Sequence, residues 1–415
     1  MPSRSPRTGP RRLAAGLILL AVLLAACAPA PAGPPPETLV IVSSLPLTGS
    51  SHGLMQTLVN AIRLKLEQEN HRACDGRFAL EYRSLDDSNP AAGKWDVAQE
   101  LKNVEAAVSD PAVVAYIGTY DAATAQAALP LLNQAGLVMI SPANTLPSLT
   151  KPGYGEPDEP GRYYPTGVRN FVRLVVPDDV TARTAAEWAR TLGVDSVYIV
   201  QEPDPAGVAL ANLFHEEAER FGLRVLGHEL IEPKRPDQQP LAGRIQAAAP
   251  ELVYFAGTTQ SSPGQLLRDL RAAGPGELLF MGPLGIQNNA LIEVAGVDAV
   301  EGVYATAPGV PFAELGARGQ AWYRAYKQRY NSEPEGLTIF GYQAAEIAVH
   351  AINQVCAADR ARIRDAVAGV RDFDGVLGRW SFDQAGDISL QAMTHYQVRS
   401  GAWVAVEPWE RPQLP

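Results

Sequence analysis

The chain has 415 residues, with 35 Lys and Arg against 45 Asp and Glu, for a formal net charge of −10. That balance gives no basic footprint for nucleic acid, so a nucleic-acid partner is excluded. With 46% hydrophobic and 19% charged residues, the composition is globular and excludes disorder, collagen-like repeats and an integral membrane protein; the length allows two or three domains.

Residues 1–26 read as an address rather than as fold. Arg4, Arg7, Arg11 and Arg12 precede an uncharged run from Leu13 to Ala26, which has signal-peptide proportions and is too short to span a bilayer comfortably. The run ends Leu24-Ala25-Ala26-Cys27, which resembles the bacterial lipobox, so the Cys27 Sγ is expected to receive diacylglycerol. Residues 27–37 form a lipidated, Pro-rich linker with the extended stiffness of polyproline II. Loss of four arginines and no acid leaves 31 basic against 45 acidic residues, too acidic a body to lie on anionic lipid. The expectation is an exported protein, lipid-anchored to the cell membrane and facing the periplasm or cell exterior. Of the remaining cysteines, Cys74 and Cys356, neither has a CxxC or His partner. In an oxidising compartment they are consistent with a disulfide or with two separate buried thiols.

From Thr38 onward, strands alternate with helices. Leu39–Ser43 reads as a strand, followed by the turn Pro46-Leu47-Thr48-Gly49 and a helix around Leu54–Glu69 with Leu58, Ile62 and Leu66 on one face. Phe78–Leu85 (strand), Lys94–Val108 (helix), Val113–Ile117 (strand), Ala122–Gln134 (helix) and Val138–Ile140 (strand) continue the pattern. A loop rich in Pro, Gly and charge, Lys151–Arg162, interrupts it and marks a lobe boundary. The strand Phe171–Val176 then leads into helix Val180–Thr191, strand Ser196–Val200, helix Gly207–Phe221 and strand Leu223–His228. Helix Leu241–Ala248, strand Leu252–Phe255, helix Gly264–Ala273 and strand Leu278–Met281 follow. Repeated βαβ units of this kind build parallel sheets with helices on both faces. Two such lobes suggest a ligand cleft between them.

A series of short motifs runs through this frame: Pro46-Leu47-Thr48-Gly49, Asp86-Asp87, Ile117-Gly118, Ile140-Ser141-Pro142-Ala143-Asn144-Thr145, Pro250-Glu251-Leu252-Val253-Tyr254-Phe255 and Phe280-Met281-Gly282-Pro283. Glu301-Gly302-Val303, Phe373-Asp374-Gly375-Val376-Leu377-Gly378 and Phe382-Asp383-Gln384-Ala385-Gly386-Asp387 complete it. In order and spacing the series resembles the branched-chain amino-acid-binding (leucine/isoleucine/valine-binding) family of ABC transporter substrate-binding proteins, over nearly the whole chain past the leader. The resemblance implies the type I periplasmic-binding-protein fold: α/β, two Rossmann-like lobes with parallel-sheet cores joined by a three-strand hinge. It places crossings near residues 165–171, 303–308 and 372–378, giving an N-terminal lobe of 38–168 and 305–373 and a C-terminal lobe of 169–304 and 374–410. It also implies closure of the lobes on ligand, with the closed form recognised by a membrane partner.

The same resemblance nominates site residues. The ligand carboxylate is expected against the start of the helix after Ile117-Gly118 and against the Ser-Pro-Ala-x-Thr loop, with Ala143, Asn144 and above all Thr145 presenting N–H and hydroxyl groups. The usual serine of the first segment is Ala122, with Thr124 two residues on. Asp121 beside it reads as the cap of that helix or as a charge repelling an anion. The acid that binds the ammonium in amino-acid-binding members follows Gly-Pro, and here that position is Leu284. Loss of the counter-charge argues against a free α-amino acid. Asp204 and Glu202 are candidates to replace it, His52 stands where an aromatic usually covers the ligand, and Thr258 or Thr259 where a Tyr is common. Gln287, Asn288 and Asn289 are further candidates.

No HExxH, GxSxG or GxxxxGK[ST] pattern occurs among the six histidines and the rest of the chain. No enzyme, metal or cofactor is expected. The reading is a solute-binding lipoprotein whose partners are a small polar ligand, an amino acid or a related amide or organic acid, and the permease of an ABC importer. The alternative is a ligand sensor or interaction protein on the same scaffold, motivated by the departures at Ala122 and Leu284.

Overall fold

A computed structural model describes Ser3 and residues 36–409, apart from Lys234 and 275–277. The expected signal peptide, Cys27 and the spacer up to residue 35 lie outside the described residues.

Strand β1 (Glu37–Leu45) is buried from Leu39 onward, as a β-branched run without a polar face requires in the interior of a sheet covered on both sides. α1 (His52–Gln68) buries Leu58, Ile62 and Leu66 on the one face that helical spacing gives them. β2 (Arg72–Ala73) and β3 (Phe78–Asp86) pair antiparallel at the sheet edge. The helix expected from Lys94 starts later. β4 (Ser88–Asn89) pairs with β5 (Lys94–Trp95), and Asp96 then caps α2 (Val97–Ser109) by accepting from Gln99 N at 2.8 Å. β6 (Val113–Ile117), α3 (Ala122–Gln134), β7 (Val138–Ser141) and β8 (Phe171–Arg173) complete the first sheet, in the order β2-β3-β1-β6-β7-β8.

The second sheet has the order β10-β9-β11-β12-β13-β16-β17. Its parallel part alternates with helices: α4 (Asp178–Thr191), β9 (Ser196–Gln201), α5 (Pro205–Arg220), β10 (Arg224–Leu230), α6 (Gln239–Ala248), β11 (Leu252–Ala256), α7 (Pro263–Ala273) and β12 (Leu279–Pro283). After α8 (Asn289–Ala295) and α9 (Val297–Val300), β13 (Tyr304–Pro308) closes the parallel run. The chain then returns to the first lobe as α10 (Ala317–Tyr330), α11 (Thr338–Val355), α12 (Arg360–Ala368) and the hairpin β14 (Phe373–Gly375)–β15 (Gly378–Trp380). It ends in antiparallel β16 (Met393–Arg399) and β17 (Ala402–Trp409) on the second sheet. Each sheet has an apolar cluster on either face, so each lobe is a three-layer α/β unit.

All three passages between lobes fall later than the motifs suggest. β8 pairs parallel with β7, Met139 opposite Phe171, so the first passage follows Arg173 and not 165–171. The second follows β13, which pairs with both β12 and β16 in the second sheet. The third follows Ile388, because Trp380, Phe382 and Ile388 belong to the first-lobe core. Aromatic contact holds that segment there, with ring centroids 5.5 Å apart for Phe373–Trp380 and 4.9 Å for Trp380–Phe382. The expected bounds 305–373, 169–304 and 374–410 shift accordingly.

Cys74, in the β2–β3 turn, and Cys356, at the end of α11, are joined with Cα atoms 5.7 Å apart across 282 residues of sequence. A link that closes so long a loop limits the unfolded ensemble, and removing one from an exported domain costs about 2–5 kcal/mol. Replacing both, Cys74→Ala with Cys356→Ala, is expected to lower the melting temperature and leave the far-ultraviolet spectrum unchanged. An unaltered melting temperature would show that the link does not constrain the unfolded chain.

Candidate functional site

The parallel strands of both sheets end at one cleft, where α/β folds place ligands. The cleft holds about 690 Å³ of atom-free space, counting its open mouth. Its lining follows strand ends directly: Tyr120–Ala122 after β6, Ala143–Thr145 after β7, Glu202 and Asp204 after β9, Gly257 and Thr258 after β11, and Pro283–Gly285 around the end of β12.

On the first wall, Gly118 allows the turn out of β6, since a Cβ there would lie 2.7 Å from the Ser44 carbonyl oxygen. Asp121 then caps α3. Its Oδ1 accepts from Thr124 N at 3.0 Å and its Oδ2 from the Thr124 hydroxyl at 2.6 Å. Asn144 donates its amide N–H to the Thr119 carbonyl. The Thr145 hydroxyl donates to Asp178 Oδ2 at 2.8 Å, and Asp178 is the first residue of α4. On the second wall, Glu202 is an anchor. Its Oε2 accepts from Ser261 Oγ at 2.6 Å and from Thr258 N and Oγ1, both at 3.1 Å. It packs where Gly207 and Gly257 leave room, for a Cβ on either would fall 2.4 or 2.9 Å from its side-chain carbons. Asp204 caps α5, accepting from Ala206 N at 3.0 Å. Gln260 Nε2 donates across the cleft to Ser51 Oγ of the first lobe at 2.6 Å.

Four carboxylates therefore line the cavity, Asp121, Asp178, Glu202 and Asp204, and among the described residues no Lys, Arg or His lines it. Burial is the main force on each, and it disfavours the charged form. It pushes Asp178 up to about 7, against the opposing hydrogen bond from Thr145 and the field of Arg173. It pushes Asp121 up to about 6 against the bonds from Thr124. Glu202 is raised despite its three donors, and Asp204 is held well above the carboxylate range by burial together with the charges of Asp121 and Glu202. Behind the cleft, burial also lifts Glu100 to about 7, although Ser44 and Tyr116 donate to it.

Of the residues nominated from sequence, Ala122, Ala143, Asn144, Thr145, Asp204, Thr258 and Leu284 come together on the cavity wall. The cap reading of Asp121 and its place beside the cavity both hold. His52 does not line the cavity, because it opens α1 and its exposed ring donates from Nδ1 to the Leu47 carbonyl at 2.6 Å. Thr124 is buried behind Asp121, and Thr259 begins a short 3-10 turn; neither reaches the cavity. Gln287, Asn288 and Asn289 line a neighbouring groove, and Asn288 caps α8. The sequence reading missed Trp95, Tyr120, Asp178, Thr181, Leu210, Pro308 and Leu337. Asp178 had a local signal, since Pro177-Asp178-Asp179 is a helix start, but the orientation of its carboxylate comes from packing.

A family model described as periplasmic binding protein matches residues 38–402. The leucine-, isoleucine-, valine-, threonine- and alanine-binding protein of Pseudomonas aeruginosa is 25% identical over 88% of this chain and 91% of its own length. Among solved structures, the leucine-binding protein LivK of Thermotoga maritima superposes with a TM-score of 0.79 at 21% identity, covering 91% of this chain and all of that one. A solute-binding protein of Rhodopseudomonas palustris in complex with 3,4-dihydroxybenzoic acid gives 0.74 at 18% identity, covering 90% and 97%. The chain belongs to the branched-chain amino-acid-binding family of type I periplasmic binding proteins. Members of the family are exported solute-binding proteins of ABC transporters and not enzymes. Among the described residues no helix is long and apolar enough to cross a membrane.

The raised carboxylates fix how stability depends on pH. Their native values lie above the unfolded ones, so the native chain retains protons that the unfolded chain has released. The stabilisation is complete below the ordinary carboxylate range and is lost as pH rises through about 6–7. Burial lowers His395 to about 4 and also lowers His228 and His350, and these three act in the opposite sense below the ordinary histidine value, but they are outnumbered by the raised carboxylates Asp87, Glu100, Asp121, Asp178, Glu202, Asp204 and Glu335. The melting temperature of the unliganded protein should fall by several degrees between about pH 5.5 and pH 8, and Asp178→Asn should reduce that dependence. A curve that rises over this interval would contradict the assignment.

Proposed function

We propose that this chain is an extracytoplasmic lipoprotein, anchored through Cys27, that captures a small polar solute in the interlobe cleft, closes on it by hinge motion and delivers it to the permease of an ABC importer. The observation that carries the reading is the cleft itself, at the carboxyl ends of both parallel sheets, walled by both lobes and bridged by Gln260–Ser51. The family match over 38–402 supports the transport context. Three short connections between lobes supply the hinge. The curated relative named for leucine, isoleucine, valine, threonine and alanine makes amino acids the first solutes to try. Leu284 on the cavity wall, in place of the acid, widens the search to amides, amines and organic acids.

Two measurements test this. Thermal shift of the full chain against such a panel should show stabilisation by at least one solute, about 2.7 kcal/mol at one hundred times Kd. Small-angle scattering should then show a smaller radius of gyration with that solute. If no solute stabilises the protein, the transport-binding reading fails and a sensor or interaction role on the same scaffold takes its place. For the anchor, Cys27→Ser should move the protein from the membrane fraction to the soluble one and abolish incorporation of labelled fatty acid. Retention of label in that variant would remove Cys27 as the lipid site.

A further inference from the structure

We infer that the solute is a small organic cation with no free carboxylate, its charged head held among Asp121, Asp178 and Asp204 and its apolar part lying against Leu210, Leu284 and Leu337. This rests on the solute-binding reading and specifies the ligand class of that same cleft.

The first argument is the occupancy of the helix starts. α3, α4 and α5 all begin at the cavity, and their free N–H groups would ordinarily suit an anionic ligand. Each instead carries its own acid there. Asp121 accepts from Thr124 N, Asp204 accepts from Ala206 N, and Asp178 is the first residue of α4. The hydroxyls placed to donate to a carboxylate are engaged as well, that of Thr145 by Asp178 at 2.8 Å and that of Thr258 by Glu202 at 3.1 Å. An incoming carboxylate would meet four acids and none of these donors.

The second argument comes from a neutral group. Asn144 is 2% exposed, and its Oδ1 has no hydrogen-bond partner among the described residues. Because the amide N–H donates to the Thr119 carbonyl, the other end of the amide must be the acceptor, and Asn144 is one of the residues that line the cavity. A buried acceptor left open next to carboxylates calls for an N–H donor.

The nearby bases do not supply the missing charge. Arg173 lies behind the loop, paired with Asp387 at 2.7 Å and donating to the carbonyls of Asn144 and Leu146. Lys151 pairs with Asp179 at 2.8 Å. Lys94, whose field reaches Glu202 and Asp204, is not part of the lining, and its ammonium lies over the Trp95 ring, 5.4 Å from the centroid. Among the described residues no group of acids or histidines is arranged to hold a metal ion. The leucines on the wall suit a carbon skeleton, so the charge is that of an amine or a related organic cation.

Protonation gives the inference an independent signature. Carboxylates raised by burial must ionise to receive a cation, so binding releases protons and tightens as pH rises through about 6–7. The charged groups facing them are Glu202, Asp179 and Arg173 around Asp178, with Asp204, Asp87 and Glu100 around Asp121, and acids predominate.

The test is calorimetry on the full chain with ligands that share one carbon skeleton, namely leucine, leucinamide, isopentylamine and isocaproate, together with putrescine and choline. At least one cation is expected to bind tenfold or more tightly than leucine, to bind more tightly at about pH 7.5 than at about pH 5.5, and to release protons, read by comparing two buffers of different ionisation heat. Asp204→Asn keeps a good helix cap, so it should fold normally while weakening that cation by tenfold or more. Tighter binding of leucine or isocaproate than of every cation would overturn the inference and leave the solute-binding reading intact. So would cation binding indifferent to both pH and Asp204→Asn. Silence from every ligand here and in the wider panel would overturn both.

Discussion

The guanidinium of Arg173 is the contact on which both the first lobe and the cleft depend. Its side chain is fully buried, it forms an ion pair with Asp387 at 2.7 Å, and it donates to the Thr150 hydroxyl and to the carbonyls of Leu146 and Asn144 at 2.8 and 3.4 Å. Arg173 ends the last strand of the first sheet, Asp387 lies just before the third passage between lobes, and the two carbonyls belong to the loop that forms the first wall. One buried charge thus ties strand, crossing and loop together. Burial of an ion pair is costly, and such a pair persists where its remaining N–H groups are satisfied, as they are here by backbone oxygens. The same saturation makes Arg173 unavailable to neutralise Asp178, although its field still opposes the effect of burial on that acid.

The second wall is built on a different principle. Glu202 gathers the start of the β11 loop through Thr258 and Ser261, and glycines at 207 and 257 let its side chain sit against the backbone. Its charge is compensated by donors, whereas Asp204, two residues on, has one backbone donor and two acids nearby. The wall therefore combines a structural acid with a less satisfied one. Across the gap, Gln260 reaches Ser51, so the walls are held at a separation where the acids of both lobes act on one another.

Much of this was legible in the sequence because it is local. Helix α3 and strand β6 begin and end where their caps, periodicity and β-branched runs place them, and the cavity positions at Ala143, Asn144, Thr145, Thr258 and Leu284 follow from strand ends in an α/β lobe. What was not legible depends on partners distant in sequence. Trp95 reaches the cavity because Asp96, and not Lys94, starts the helix, a choice fixed by the β4–β5 pairing. The late third passage depends on Phe373, Trp380 and Phe382 packing into the first-lobe core. His52 failed as a site residue because a nearby carbonyl captures its ring. The expected elements stop at Met281, whereas α10 to α12 return to a lobe begun more than two hundred residues earlier.

With Leu284 after Gly282-Pro283 and acids at three helix starts, the negative charge of the cavity stands at the ends of helices and not at the end of β12. The consequences differ. At a strand end a carboxylate faces little fixed dipole, and burial alone decides its protonation. At a helix start the aligned peptide dipoles and the cap hydrogen bond favour the ionised form, offsetting part of the desolvation. That offset lets Asp121, Asp178 and Asp204 share one cavity, yet it does not reverse the effect of burial, since all three remain raised. The cleft is left with Asp178 raised to about 7 and Asp121 to about 6, close to neutral pH. Its charge is then set by what enters it.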